Sequence, residues 1–273
     1  MSPLDKRPRL IATDLDGTIV AHYGTISPRT VEAFHRAHEL GIEIFFVTGR
    51  PPRWTQELRD NFSFGQGILG NGAMHYDIYN EKILEKWFIP VENQLQVVER
   101  LRKVIPNITF AFDTSYQFHR ERHYEPKWDV GVDEEPYDQI EVAMKEPVAK
   151  ILARCAAQDF TSDEMLEIAN KELERIVTVT HSNSWDSLLE ISAHGVSKGS
   201  TLALLAGRLG ITAEESVAFG DNPNDFPMLR WAGRSWAMAD GHPDAKLHAK
   251  SVAASHIDDG VAVEIERLLE LPE

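Results

Sequence analysis

Short apolar runs that break into polar or acidic turns recur along the chain and alternate with segments of helical period. Residues 10–13, Leu-Ile-Ala-Thr, run into Asp14 and reach Gly17, the pattern of a buried strand opening into a loop. Ser27-Pro28 offers an N-cap and a proline for the first helical position, and Val31, Phe34, Ala37, His38 and Leu40 follow at helical spacing up to Gly41. A second apolar run, 42–47, ends at Thr48-Gly49-Arg50, and Pro51-Pro52 opens another predicted helix. Strand, helix and strand with a short return predict a parallel pair joined by a right-handed crossover. Residues 68–69 followed by Asn71-Gly72 predict a third short strand and a turn.

From about residue 84 to residue 188 the texture changes. Residues 93–104 have helical period, 109–119 alternate, 120–138 are polar, 163–172 are helical again, and 176–180 and 187–191 read as strands. These point to an inserted α+β domain. After Gly195 the strand-helix alternation resumes. Ser197 caps a helix through residue 209, 216–219 is a strand, 226–231 a helix and 235–238 a strand; a short helix starts at Pro243 and a last one covers 261–269. The expected fold class is α/β, a doubly wound, Rossmann-like parallel core of residues 1–83 and 189–273 with the insert over 84–188.

Composition narrows the function. With 42% hydrophobic and 26% charged residues, the 273-residue chain has material for a sizeable core, and its length suggests about two domains. A formal net charge of −15, without a Lys/Arg-dense stripe, argues against nucleic acid as a partner. A small anionic substrate meets the same repulsion, so a site for one must concentrate positive charge, most simply with a divalent cation. The single Cys155 excludes an intramolecular disulfide and multi-cysteine zinc sites, and fits a reducing compartment. Residues 1–9 form a polar leader before a brief apolar run, too short for a signal peptide or a membrane span, so the expected location is cytoplasmic, with no membrane partner.

Three apolar runs end in residues suited to phosphate chemistry: at Asp14, at Thr48 and at Gly220-Asp221. Ligands of open α/β sheets bind at the carboxyl ends of strands, so these residues are expected to converge. Asp14-Leu15-Asp16-Gly17-Thr18 holds two carboxylates, and Asp221-Asn222-Pro223-Asn224-Asp225 holds two more. Two like charges about 4 Å apart cost about 4 kcal/mol at an effective dielectric near 20. Four acids around one site therefore demand a cation, and Mg²⁺, which takes carboxylate and carbonyl oxygens, suits them. A calcium loop does not fit, because Thr18, Ile19 and Thr25 stand where that pattern requires an oxygen ligand, Gly and Glu. Gly65-Gln66-Gly67-Ile68-Leu69-Gly70 spells a dinucleotide fingerprint, yet apolar residues and then Asn71-Gly72 follow where its helix should start. His119 and His123 have the spacing of a helical metal pair in a context that reads as strand. No Gly-x-Ser-x-Gly elbow occurs.

Taken in order, these motifs resemble the haloacid dehalogenase superfamily, and within it the Cof-type (subfamily IIB) phosphatases of small molecules. Asp14-Leu15-Asp16-Gly17-Thr18 resembles the nucleophile loop and Thr48-Gly49-Arg50 the phosphate-binding threonine turn. Lys198, in Gly195-Val196-Ser197-Lys198-Gly199, sits where that family places its phosphate-binding lysine, and Gly220-Asp221-Asn222-Pro223-Asn224-Asp225 resembles its acidic loop. Asn71-Gly72-Ala73 and Asp259-Gly260-Val261-Ala262 are lesser matches, and Ala239-Asp240-Gly241-His242 departs from the more usual Met-Gly-Asn-Ala.

The resemblance implies a Mg²⁺-dependent phosphatase that hydrolyses small phosphomonoesters, sugar phosphates or related metabolites, through a phospho-aspartate. The insert would be an α/β cap over the site. Asp14 would be the nucleophile and Asp16 the acid and base. Mg²⁺ would be held by Asp14, Asp221 and, by the resemblance, the Asp16 backbone carbonyl. Phosphate contacts are expected at Leu15, Thr48, Gly49, Arg50, Lys198 and Asn224, with Asp225 behind them orienting Lys198 or a metal-bound water. Trp87, His119, Arg122, Trp128, His181 and Trp185 are open candidates for contact with the leaving group or for packing of the cap. A phosphomutase of the phosphomannomutase type is the alternative, ahead of a non-catalytic phosphate-binding module; a monomer or a homodimer fits either.

Overall fold

The computed structural model describes residues 3–20, 24–127, 130, 135–155 and 159–272. Its first strands are β1 (Leu10–Thr13), β2 (Glu43–Val47), β3 (Gln66–Leu69), β4 (Met74–Asp77) and β5 (Lys82–Lys86). There follow β6 (Thr109–Asp113), β7 (Phe118–Arg120), β8 (Lys150–Arg154), β9 (Val177–Thr180) and β10 (Leu188–Ala193), and finally β11 (Ser216–Gly220), β12 (Arg234–Met238) and β13 (Ser251–Ala253). They form an eight-stranded sheet of order β13-β12-β11-β1-β2-β3-β4-β5 and a five-stranded sheet of order β7-β6-β8-β10-β9. In the first, every pair from β13 to β3 is parallel and β4-β5 closes the edge as an antiparallel hairpin. The second sheet is antiparallel throughout.

The central strands are apolar on both faces because helices cover both. Helices α1 (Pro28–Glu39), α2 (Gln56–Asn61), α3 (Val91–Val104), α4 (Ser162–Leu173), α5 (Lys198–Arg208), α6 (Phe226–Trp231), α7 (Ala245–His248) and α8 (Gly260–Leu269) complete the regular structure. Ile11, Ile44, Phe46, Val217 and Phe219 bury against α1 and α8, whereas their strand neighbours Leu10, Ala12, Phe45, Val47 and Ala218 bury against α5 and α6. In the second sheet one face packs on α3 and α4. Ser27 caps α1 by accepting from the Thr30 amide, and Ser197 caps α5 in a capping box with Ser200.

Register fixes where the loops emerge. Thr13 stands beside Phe46 of β2 and Phe219 of β11, so Asp14, the turn after β2 and the turn after β11 leave the sheet side by side. This is the carboxyl-end crevice of a doubly wound sheet.

Several local expectations change. Pro51-Pro52 opens a 3₁₀ turn, Pro52–Trp54, before α2 begins, with the Thr55 hydroxyl donating to the Pro52 carbonyl at 2.7 Å. The alternating stretch 109–119 is a hairpin, β6 and β7 split by a turn at Ser115, whose φ is +89°. The short helix expected from Pro243 starts at Ala245. Strands β4, β5, β8 and β13 lie where no strand was expected. No helix of the described residues is long and apolar enough to cross a membrane.

Phe46 is fully buried at the centre of an aromatic cluster, 4.9 Å from the Phe62 ring centroid and 5.7 Å from that of Phe34. Phe46→Ala is expected to lower unfolding stability by about 3–5 kcal/mol, read from the denaturation midpoint.

Candidate active site

Asp14 follows the last residue of β1, and its amide donates to the Phe219 carbonyl of β11 at 3.0 Å. Its Oδ1 accepts from Lys198 Nζ at 2.5 Å, and the same ammonium donates to Asp225 Oδ1 at 2.7 Å. Lys198 is the first residue of α5, so a fixed cation stands at the positive end of that helix. The other oxygen of Asp225 takes the amides of Asp221, at 3.0 Å, and Asn222, at 3.1 Å, which ties the turn after β11 to the lysine. Asn222 Nδ2 donates to Asp221 Oδ2 at 2.6 Å. Thr18 Oγ1 lies 3.4 Å from both Asp14 Oδ2 and Asp221 Oδ1. The two acidic loops meet so closely that a Cβ on Gly17, whose φ is +81°, would fall 2.5 Å from Asp221 Oδ2.

Asp14, Lys198, Asp221 and Asp225 are all buried. Burial, then the charge of Asp225, push the Asp14 carboxyl up to about 7 against the opposing pull of Lys198. Burial and the Asp14 charge also hold Asp221 well above the usual carboxylate range. Burial works against the Lys198 charge, but Asp14 and Asp225 outweigh it and keep the ammonium protonated.

Carboxylate oxygens of Asp14, Asp221 and Asp225 lie within 4.8 Å of one another. This all-oxygen set matches a hard divalent cation. Asp225 already accepts from Lys198 and two backbone amides, so Asp14 and Asp221 retain the greater capacity as ligands. Burial is the larger cause of both raised carboxyls, and a cation there would offset the mutual repulsion that adds to it.

The rim is built from the other strand ends. Asp16, more exposed, receives Arg50 Nε at 2.8 Å and Nη2 at 2.5 Å, a bidentate pair. Arg50 also donates to the Trp54 carbonyl and lies 3.6 Å from Glu57, and its amide donates to Thr48 Oγ1 at 3.1 Å. Asn224 Nδ2 donates to Asn71 Oδ1 at 3.2 Å. Asp14, Asp16, Thr48, Gly49, Arg50, Asp221 and Asn224 thus line one cleft of about 230 Å³. Lys198 and Asp225 lie beneath it, and Leu15 is buried with its carbonyl closing the turn through the amides of Thr18, Ile19 and Val20.

The opposite wall comes from the second sheet, with Lys150, Leu152 and Glu190, and from its β9-β10 loop, with Ser182, Asn183 and Asp186. None of these was anticipated. The expected cap candidates Trp87, His119, Arg122, His181 and Trp185 do not line the cleft, and Trp128 lies outside the described residues. His181 is buried with its ring on Asp163, and Arg122 pairs with Asp138. The divergent loop at 239–242 supports the site instead: the His242 amide donates to the Asp221 carbonyl at 2.7 Å.

A family model described as haloacid dehalogenase-like hydrolase matches residues 11–265. The pyridoxal phosphate phosphatase YbhA of Escherichia coli (strain K12) is 29% identical, the match covering 93% of this chain and 96% of that protein. A 5-amino-6-(5-phospho-D-ribitylamino)uracil phosphatase of Bacillus subtilis (strain 168), YcsE, is 26% identical over 93% of each. The solved structure of a subclass IIB sugar phosphatase superposes with a TM-score of 0.79 at 24% identity, covering 95% of this chain and 98% of that one, which speaks for the fold. The chain belongs to the haloacid dehalogenase-like hydrolases, in the Cof-type branch that its motifs indicated, and is an enzyme of that superfamily.

Because Asp14 has a higher pKa folded than unfolded, its favourable contribution to stability is fully present below about pH 4 and is lost as pH rises through about 7. Without divalent cation, Asp14→Asn is expected to melt above the native protein at about pH 8, with the gap closing toward about pH 5. Adding Mg²⁺ at about pH 8 should raise the melting temperature of the native protein more than that of the variant.

Proposed function

We propose that this haloacid dehalogenase-like hydrolase is a Mg²⁺-dependent phosphatase of small phosphomonoesters that works through a phospho-aspartate on Asp14. The observation that carries the reading is the pairing of Asp14 with Lys198 at the floor of a cleft whose rim holds a second carboxylate, Asp16, two residues on. A module that only bound phosphate would need neither a buried anionic nucleophile nor an acid beside it.

The phosphoryl group would lie on Asp14, between Lys198 below and the Thr48 hydroxyl, the Leu15 and Gly49 amides and Asn224 around it. These donors are preorganised for the charge that spreads over the phosphoryl oxygens. A carboxylate oxygen of Asp14 attacks phosphorus, the bond from phosphorus to the ester oxygen breaks, and Asp16 gives its proton to that oxygen. Water then attacks the aspartyl phosphate, Asp16 takes its proton, and the Asp14 carboxylate leaves as inorganic phosphate forms. Asp16 has both oxygens on Arg50, so it exchanges one of them for the leaving group or the water during each half-reaction. Mg²⁺ held by Asp14, Asp221 and the Asp16 carbonyl would offset charge and orient the reactants. The second sheet and its helices act as the cap, limiting access of bulk water and bounding the leaving group.

The cleft's size and mixed lining suit a small metabolite ester, the class to which the esters named for the two curated relatives also belong. Phosphate release from a panel of sugar, polyol and pyridoxal phosphates is expected to depend on Mg²⁺ and to vanish in Asp14→Asn. Asp16→Asn should lower kcat by about a hundredfold to ten-thousandfold. Full release by Asp14→Asn would refute the assignment, and turnover that needs a sugar bisphosphate with little net release would indicate a mutase.

A further inference from the structure

A buried ion pair faces the catalytic floor from the second sheet, and the chemistry above makes no use of it. Lys150 begins β8 and Glu190 lies on the neighbouring β10; both are buried. Lys150 Nζ donates to Glu190 Oε2 at 2.7 Å and to the carbonyl of Gly49 at 2.8 Å. Glu190 Oε2 also accepts from Asn71 Nδ2 at 2.9 Å, while its other oxygen takes the Ser182 hydroxyl. Asn71 in turn accepts from Asn224. One pair therefore reaches the loop after β2 directly and the loop after β11 through Asn71, and both of those loops line the cleft.

The contact is close as well as polar. A Cβ at Gly49 would lie 3.0 Å from Asn71 Oδ1 and 3.3 Å from Glu190 Oε2, so the turn at 48–50 has a glycine where the second sheet presses on it. Burial alone would raise the Glu190 carboxyl, but the Lys150 charge and the hydrogen bonds from Lys150 and Ser182 hold it below its ordinary range. Stability does not account for such a pair, because apolar residues of similar size serve a buried position as well or better. Leu152 and Leu188, on the same two strands and lining the same cleft, show that this wall accepts them.

We propose that Lys150 is a positioning residue for phosphoryl transfer. Its ammonium, brought by the second sheet, holds the Gly49 carbonyl and thereby fixes the turn whose Thr48 hydroxyl and Gly49 amide receive the phosphoryl group and whose Arg50 carries Asp16. Glu190 keeps Lys150 aimed and aligns Asn71 with Asn224. The phosphate donors are complete only when the second sheet is seated on the core. The inference rests on the proposed phosphatase reading of the cleft.

The consequence is a defect that does not depend on the leaving group. Lys150→Met is compared with the native enzyme for turnover of p-nitrophenyl phosphate and of the best ester in the panel, and for inhibition by inorganic phosphate. The expected result is a loss in kcat/KM of roughly tenfold to a hundredfold, similar for both esters, with weaker phosphate inhibition and partial recovery in Lys150→Arg. The double variant Lys150→Met/Glu190→Gln, which removes both charges, is measured beside it, and whichever form keeps the native melting profile is the one compared. Unchanged phosphate inhibition and unchanged turnover would overturn the proposal. So would a loss confined to one ester, which would make Lys150 a contact for the leaving group. A native enzyme without Mg²⁺-dependent release would instead remove the phosphatase reading beneath it.

Discussion

Carboxylates crowd a single buried ammonium at the carboxyl ends of β1 and β11, and the floor of the cleft is organised by that contact. Lys198 bridges Asp14 and Asp225, and Asp225 in turn anchors the amides of the loop that presents Asp221. Burial first, and then mutual repulsion that one ammonium cannot balance, push Asp14 and Asp221 toward protonation in the absence of a further cation. The same imbalance, joined by an arriving phosphate dianion, makes a hard divalent cation the natural complement of the site. The parallel sheet brings this about at little conformational cost, because register alone places the three strand ends together.

Above that floor the contacts become longer-ranged and join the two sheets. Arg53, in the turn that follows the threonine loop, holds Asp113 of β6 through two bonds of 3.0 and 2.7 Å, and Lys150 holds Gly49 a few residues earlier. The segment from Thr48 to Trp54 is thus gripped by the second sheet at two points while its Arg50 grips Asp16. The second sheet and the segment after β2 are joined through these few polar contacts, most of them at least partly shielded from solvent.

The core was legible in the sequence where a local signal was strong. Residues 10–13 and 198–208 form the elements expected of them, because an uninterrupted apolar run ending in an acid, or a capped helical period, needs no tertiary information to be recognised. The family likewise followed from Asp14, Thr48, Lys198 and Asp221 standing in order. What escaped is informative. β8 reads Lys-Ile-Leu-Ala-Arg and is buried along its whole length, since its terminal charges are matched by partners distant in sequence, Glu190 for Lys150 and the Asp186 carbonyl for Arg154. β5 alternates between exposed and partly exposed residues and is a strand only because β4 pairs with it. The wall of the cleft was hidden for the same reason: its residues come from strands and loops whose face is set by sheet pairing, and conspicuous aromatics such as Trp185 point elsewhere.

The central claim is that Asp14 carries the phosphoryl group, and trapping that group tests it most directly. In a single turnover of the Asp16→Asn variant with its best ester and Mg²⁺, acid quench followed by peptide mass analysis is expected to find one phosphoryl group on the peptide containing Asp14, chasing to free phosphate as hydrolysis proceeds. Phosphate formed without any labelled Asp14 peptide, or a label on another residue, would contradict the account.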